Sequence, residues 1–336
     1  MEKKPLLSIC IPTYNRDKFL DEAIESVISQ ITKDIKDKVE LCISDNASTD
    51  NTDKVIEKWK LRSPINIIYH KNKDNLGADR NYLKVIEIAN GEYCWFLGSD
   101  DRIENDGLKY VLTMIENYMD IDIFILYRRG YNFTFSNPIK LNFDPLSSLN
   151  ENKIFDPVLE LGNYAYMIGY ISVLCFRRNL WKKIENCEEF IGSAYVHVCK
   201  ILSMIKSGAK VMFLKRPVVG WRSENDSFLQ ANYYKRLKLD IEGYSSIASF
   251  VFGKNSNEFK SLINNIISTL FNPFRISATV ARINFKERIK LLYLMFKYGY
   301  YKSFKFYYFT FPFFFVPKHL HFLLRKIKRK LKGEPN

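Results

Sequence analysis

The segment WFLGSDD, Trp95–Asp101, carries an apolar run straight into two adjacent carboxylates, Asp100 and Asp101. Two anions side by side repel each other and are costly to hold near a core unless positive charge sits against them. A hard divalent cation answers that need. Mg2+ or Mn2+ takes oxygen ligands, keeps several waters, and is commonly held by one or two carboxylates together with a substrate's phosphate oxygens. A diphosphate is therefore the natural second partner, and a metal bridging it stabilises the negative charge that develops as the diphosphate leaves. Zinc suits the sequence poorly, because no paired Cys or His ligands lie at usable spacing.

Two further polar clusters resemble the acidic one in context: Pro12-Thr13-Tyr14-Asn15-Arg16, and Asp45-Asn46-Ala47-Ser48-Thr49-Asp50. Alone, each is explained by turn and helix-cap chemistry. What joins them is the elements that precede them. Strands are expected at Leu6–Ile11, Val39–Ser44, Ile65–Tyr69, Tyr93–Leu97 and Ile121–Arg128, with amphipathic helices near Phe19–Ser29, Asp53–Lys60, Ala78–Ala89 and Gly107–Asn117 between them. That alternation predicts an α/β fold, a Rossmann-like and mainly parallel sheet with helices on both faces. Ligands of such sheets bind beyond the carboxyl ends of the strands, so the clusters after the first, second and fourth strands converge on one rim. Farther on, Asn132–Asn152 reads as a long loop, Ser193–Lys206 as a helix stopped by Gly208, and Lys210–Leu214 as a strand leading to Pro217 and the polar stretch Gly220–Asn225. Beyond Asp226 the pattern becomes helical.

The chain of 336 residues has a formal charge of +14 and is 15% aromatic. From Lys286 to Asn336 there are 13 Lys and Arg against Glu287 and Glu334, so this segment holds +11 of the total. A protein gripping nucleic acid along its main domain would carry its cations there, and none is expected as a partner. The run FYYFTFPFFFVP, Phe306–Pro317, is too short to span a bilayer, and the following KHLHFLLRKIKRKLK sets Leu320, Leu324, Ile327 and Leu331 on one stripe among cations. Such a helix suits the interface of an anionic membrane. Six cysteines without a CxxC pair read as buried reduced thiols, which fits a cytoplasmic location, and the N-terminus does not resemble a signal peptide.

Four segments together resemble the family 2 glycosyltransferases of GT-A type: SICIPTYNR (Ser8–Arg16), ISDNASTDNT (Ile43–Thr52), NLGADRN (Asn75–Asn81) and GEYCWFLGSDD (Gly91–Asp101). The resemblance extends less strongly to about Arg222. It implies an inverting, metal-dependent transfer of a sugar from a nucleotide diphosphate sugar to a hydroxyl of a glycan or lipid-linked acceptor, in envelope polysaccharide synthesis at the inner face of the membrane. It places Thr13, Tyr14, Asp45, Arg80 and Ser99 at the nucleotide sugar, Asp100 as ligand of Mg2+ or Mn2+ with Asp101 in support, and Arg222 over the diphosphate with Asn225 assisting. Gly98 stands where the family often has the first Asp of its DxD-like motif.

The same resemblance implies a general base about eleven positions before a helix-ending Gly. Counting back from Gly208 gives His197, within GSAYVH, a stretch similar to the abequosyltransferase-like subgroup. Imidazole, with an unperturbed pKa of about 6.5, suits that task; Glu188 and Glu189 are the second choice. The expected organisation is residues 1–225 as the transferase domain, with 1–101 the nucleotide-sugar half and 102–225 the acceptor half, then a helical region 226–336 whose tail, about 304–332, meets the membrane. Two other readings compete: a nucleic-acid-binding protein that stacks bases on the aromatic tail, and a non-catalytic membrane-associated scaffold. A sugar nucleotidyltransferase fits less well, since Pro12-Thr13-Tyr14-Asn15 stands where those enzymes place a Gly-rich loop.

Overall fold

Strand β1 (Leu7–Thr13) is buried along its whole length, as is β2 (Val39–Asp45) beside it. Both read as nearly continuous apolar runs because a central parallel strand is covered on both faces. The computed structural model describes residues 4–140, 149–155, 160, 166–225, 232–317 and 320–321. Described strands β3 (Ile67–Lys71), β4 (Tyr93–Phe96), β5 (Arg102–Ile103), β6 (Ile123–Tyr131), β7 (Pro138–Ile139), β8 (Lys153–Phe155), β9 (Leu174–Arg177) and β10 (Val211–Arg222) complete one sheet. Its order is β3-β2-β1-β4-β9-β6-β10-β5, with β7 on β6 and β8 on β10.

The first four strands of that order are mutually parallel, β6 and β10 are parallel to each other, and β9 lies antiparallel between β4 and β6. Six strands therefore run one way and deliver their carboxyl ends to one rim. Helices α1 (Asp17–Ile28), α2 (Thr52–Arg62), α3 (Ala78–Glu87) and α4 (Gly107–Asn117) cross between successive strands. The helical spacing of α1 buries Leu20, Ala23, Ile24 and Val27 against the sheet. Full burial of the Leu, Ile and Val side chains is worth about 1.5–3 kcal/mol each.

Short helix α5 (Arg178–Lys183) and helix α6 (Val196–Lys206) follow β9. The left-handed Gly208, φ +93°, ends α6, and its N–H donates to the Ile205 carbonyl at 3.0 Å. Strand β10 runs through Pro217 to Arg222, where a strand ending near Leu214 was expected. Register shifts on either side of Pro217 absorb the missing N–H, so the strand resumes at Val219.

The chain divides into two compact units, one of Met1–Val158 with Met167–Asn225, the other of Leu159–Tyr166 with Asp226–Asn336. The second is helical: α7 (Tyr233–Phe252), α8 (Asn257–Thr269), α9 (Pro273–Val280), α10 (Phe285–Lys297) and α11 (Phe304–Phe309). Asn232, Ser256 and Asn284 cap three of these helices, and Asn284 with Glu287 forms a reciprocal capping box. The stripe residues Leu324, Ile327 and Leu331 lie outside the described residues.

Candidate active site

The loops after β1 and β2 are stapled to each other. Asn15, in a left-handed conformation at φ 50°, donates its N–H to Ser48 Oγ at 2.8 Å, and its Oδ1 accepts from the Thr49 N–H at 2.8 Å. Asp50 accepts from the Asp17 N–H at 2.9 Å and from the Thr52 hydroxyl at 2.6 Å. Asn81, on α3, donates to the carbonyls of Thr13 at 3.2 Å and Ser44 at 3.0 Å, tying the ends of β1 and β2 together. Polar side chains at strand ends thus act as turn chemistry and as rim at once.

The sequence-derived nucleotide residues separate by exposure. Tyr14 is 43% exposed, and Arg80, in the first turn of α3, is exposed with no partner among the described residues. Thr13 is buried, and its hydroxyl has no hydrogen-bond partner among the described residues. Asp45 is fully buried; its carboxylate accepts from the Ser48 N–H at 2.9 Å and the Tyr69 hydroxyl at 2.9 Å, so it holds the loop rather than facing solvent. Ser99 is also buried.

The two adjacent aspartates have different fates, because a turn closed by the Asp101 N–H on the Gly98 carbonyl at 3.0 Å separates them. Asp100 lies at the rim, where its Oδ2 is 2.5 Å from Arg16 Nη1 and accepts from Asn225 Nδ2 at 2.8 Å. Among the described residues its Oδ1 has no hydrogen-bond donor. Asp101 turns inward. Its Oδ2 accepts from Ser172 Oγ at 2.6 Å and from the Tyr170 hydroxyl, and its Oδ1 accepts from the Arg222 N–H at 3.3 Å. Burial, then the charge of Asp100, pushes the Asp101 carboxyl up to about 7.

Gly98 has a steric reason to be glycine. A Cβ there would lie 2.6 Å from Asp101 Oδ2 and 3.1 Å from Ser172 Oγ, while its N–H already donates to Ser172 Oγ at 2.8 Å. The inward turn of Asp101 thus occupies the space an acidic side chain at position 98 would need.

Arg222, expected over a diphosphate, is instead buried, with an exposure of 4%. It donates to the Asp100 carbonyl at 3.0 Å, to the Phe133 carbonyl, and to Glu22 at 2.5 Å. Its donors are engaged in joining the end of β10 to α1 and the acidic loop. The cation that actually faces Asp100 is Arg16, present in the PTYNR cluster but given no role by the sequence.

His197 sits in the first turn of α6 at 1% exposure. Its Nε2 donates to the Gly169 carbonyl at 3.3 Å, which leaves the lone pair on Nδ1, buried and without a donor among the described residues. Burial pulls its pKa down to about 4. The ring packs edge-on against Tyr82. A residue that sequence reasoning missed, Asp79, anchors this turn: its carboxylate accepts from the N–H groups of Gly192 at 2.7 Å, Ala194 at 2.8 Å and Val196 at 3.0 Å. Asp79 lies within NLGADRN, yet nothing local signals that it caps a helix more than a hundred residues away. Glu188 and Glu189 are exposed on a 3-10 turn.

The cysteine expectation requires correction. Cys10, Cys42, Cys94 and Cys175 are buried free thiols, but Cys187 and Cys199 form a disulfide with Cα atoms 6.0 Å apart. The pairing is invisible in the spacing because the loop of residues 187–195 folds back onto α6.

The family described as Glycosyl transferase family 2 matches residues 8–176. Abequosyltransferase RfbV of Salmonella typhimurium is 33% identical over 270 residues, which cover 78% of this chain and 80% of that protein. The chain belongs to glycosyl transferase family 2. This family 2 glycosyltransferase has the GT-A fold. It superposes on Staphylococcus aureus TarS 1–349 in complex with UDP-GlcNAc with a TM-score of 0.60 at 16% identity, over 87% of each chain. It also superposes on the mannosyltransferase PcManGT of Pyrobaculum calidifontis, solved with GDP-Man and Mn2+, with a TM-score of 0.52 at 12% identity, over 91% of this chain and 85% of that one.

Proposed function

We propose that this glycosyltransferase moves a sugar from a nucleotide diphosphate sugar to a glycan hydroxyl with inversion at the anomeric carbon. The observation that carries the reading is the meeting of three segments at one carboxylate: Asp100 after β4, Arg16 after β1 and Asn225 after β10. Exposed Tyr14 and Arg80 flank the same rim and supply a face and a cation for the nucleotide.

Among the described residues no group of three or more His, Cys, Asp or Glu could enclose a metal ion. Asp100 alone, with Oδ1 open at the rim, fits a cation of the kind that takes most of its oxygens from water and phosphate. Asp100 would hold Mg2+ or Mn2+, which supplies Lewis-acid stabilisation of the departing diphosphate. Asp101 supports it from behind by fixing the loop through Tyr170, Ser172 and the Arg222 backbone.

In the transfer the acceptor oxygen bonds to the anomeric carbon as the bond from that carbon to the diphosphate oxygen breaks. His197 is the proposed recipient of the hydroxyl proton, at Nδ1. Its unpaired lone pair supports the role, and its burial means that the Gly169–Tyr170 turn must shift for an acceptor to reach it. The decisive experiment measures thermal stabilisation by a panel of sugar nucleotides with and without Mn2+, then transfer by Asp100→Asn. A metal-dependent shift with one donor, and a loss of transfer of about a hundredfold or more in a folded variant, is expected; undiminished transfer by Asp100→Asn sinks the reading.

The second unit supports attachment to an anionic membrane surface. Phe285, Tyr293, Phe304 and Tyr308 are exposed on α10 and α11, interleaved with Lys286, Lys290, Lys297 and Lys305. No described helix is long and apolar enough to cross a membrane, so binding would be interfacial. Co-sedimentation with phosphatidylglycerol vesicles that weakens as salt rises is expected, and indifference to vesicle charge would refute it.

A further inference from the structure

Arg128 stands near the carboxyl end of β6, paired in register with Val219 of β10. Side chains alternate along a strand, so Val219 and Trp221 share one face of β10 while Gly220 and Arg222 share the other. On the Trp221 face, the Arg128 guanidinium lies 4.4 Å from the Tyr170 ring centroid and 5.2 Å from that of Trp221. The Tyr170 hydroxyl donates to Asp101, which holds that ring of the platform in place.

Of the other half-buried and buried arginines of this unit, all but Arg102 hydrogen-bond within the protein, and Arg102 has a Glu104 carboxylate oxygen 3.8 Å away. Arg16 pairs with Asp100, Arg177 with Glu92 and Asp122, and Arg222 with Glu22. Arg128 is half-buried, and among the described residues no carboxylate, carbonyl or hydroxyl accepts from it. A guanidinium carries five N–H donors in a planar fork that matches the geometry of phosphate. Stacked on rings with all five donors unspent, it is preorganised for an oxyanion.

Tyr170 lies between the acidic loop, which its hydroxyl reaches, and the Gly169 carbonyl, which holds His197. The proton acceptor of a transfer must lie within hydrogen-bond reach of the acceptor hydroxyl. The donor-side cations Arg16 and Arg80 are on the β1 loop and α3, elsewhere along the rim.

We propose that Arg128, seated on Tyr170 and Trp221, is a phosphate subsite of the acceptor, so that the acceptor class is a saccharide carrying a phosphate or diphosphate. The proposal rests on the transferase reading above. Trp221 offers the ring face against which the adjoining sugar or prenyl unit packs. Arg128 acts by binding, and no bond to it forms or breaks.

The test uses isothermal titration of the full chain with farnesyl diphosphate, as a diphosphate outside any nucleotide, and separately with UDP, GDP, CDP and TDP. Arg128→Gln is expected to weaken farnesyl diphosphate about tenfold or more, Arg128→Lys to give an intermediate value, and the preferred nucleoside diphosphate to stay within about twofold. Unchanged farnesyl diphosphate binding by Arg128→Gln, or no binding by the natural chain, overturns the subsite. An equal loss of nucleoside diphosphate also overturns it, by giving Arg128 to the donor. Failure of the underlying reading looks different, since the natural chain would then bind none of the four nucleoside diphosphates. Melting temperatures of both variants within about 2 °C of the natural chain exclude unfolding as the cause.

Discussion

Arg16 and Asp100 join the loop after β1 to the loop after β4 through a 2.5 Å ion pair, with side-chain exposures of 19% and 22%. The acidic strand end therefore has a resident cation, and a divalent ion at Asp100 must share the carboxylate with it.

That competition sets the effect of removing Arg16. Arg16→Gln deletes a positive charge beside the carboxylate proposed to hold the metal and should tighten Mn2+ binding by about threefold to tenfold at low salt, the gain being modest because the pair is partly solvated. Electron paramagnetic resonance titration of free Mn2+ measures it. Unchanged affinity in Arg16→Gln would remove Asp100 from consideration as a ligand.

Gly98 is the second lever. Gly98→Ala drives a methyl group to 2.6 Å from Asp101 Oδ2, inside a network fixed by Tyr170 and Ser172. A loss of about 1–3 kcal/mol of stability is expected from such overpacking, read from urea denaturation. Gly98→Asp should be worse, since it adds a third carboxylate; stability equal to that of the natural chain would mean that Asp101 does not point inward.

His197 gives a pH signature. Its folded pKa lies near 4, below the ordinary value of 6.5, because burial disfavours the charged ring. Between those values the unfolded chain binds a proton that the native one does not. Stability is thus fully present above about pH 6.5 and falls as the pH drops toward 4, by about 3 kcal/mol in total. His197→Gln should flatten that slope in denaturation curves taken across this range. If the histidine is also the base, the same variant loses turnover far more than donor affinity; if it only packs against Tyr82, turnover survives.

The parallel half of the fold was legible because its strands are covered on both faces. LSICIPT and VELCISD announce themselves as apolar runs followed by polar clusters, and helix Gly107–Asn117 carries a clear period. Strand β9 was missed: LCFR is four residues long, runs against its neighbours and sits in a stretch with no periodicity. The extension of β10 was missed because proline usually ends a strand, and only the register shifts around Pro217 show how this one continues. At the site, residue types located the rim but not the direction of each side chain. Asp101 and Arg222 look like ligands in sequence and are buried in the structure, whereas Arg16 looks like a loop cation and faces Asp100. Gly98 and Ser99 were the available signal, since they mark a turn in which two adjacent aspartates can part company.

The antiparallel strand β9 has a consequence for exchanging specificities between relatives. It is the seam of the sheet, bonded to β4 at Cys94–Phe176 and to β6 at Phe124–Cys175, and the Trp95 indole N–H donates to the Ser172 carbonyl beside it. A chimaera spliced after residue 101 would set a foreign seam against native Trp95 and break that stitching. Grafts of new acceptor preference must instead carry Tyr170 to Arg177 together with the β4 residues that face them, as one indivisible cassette.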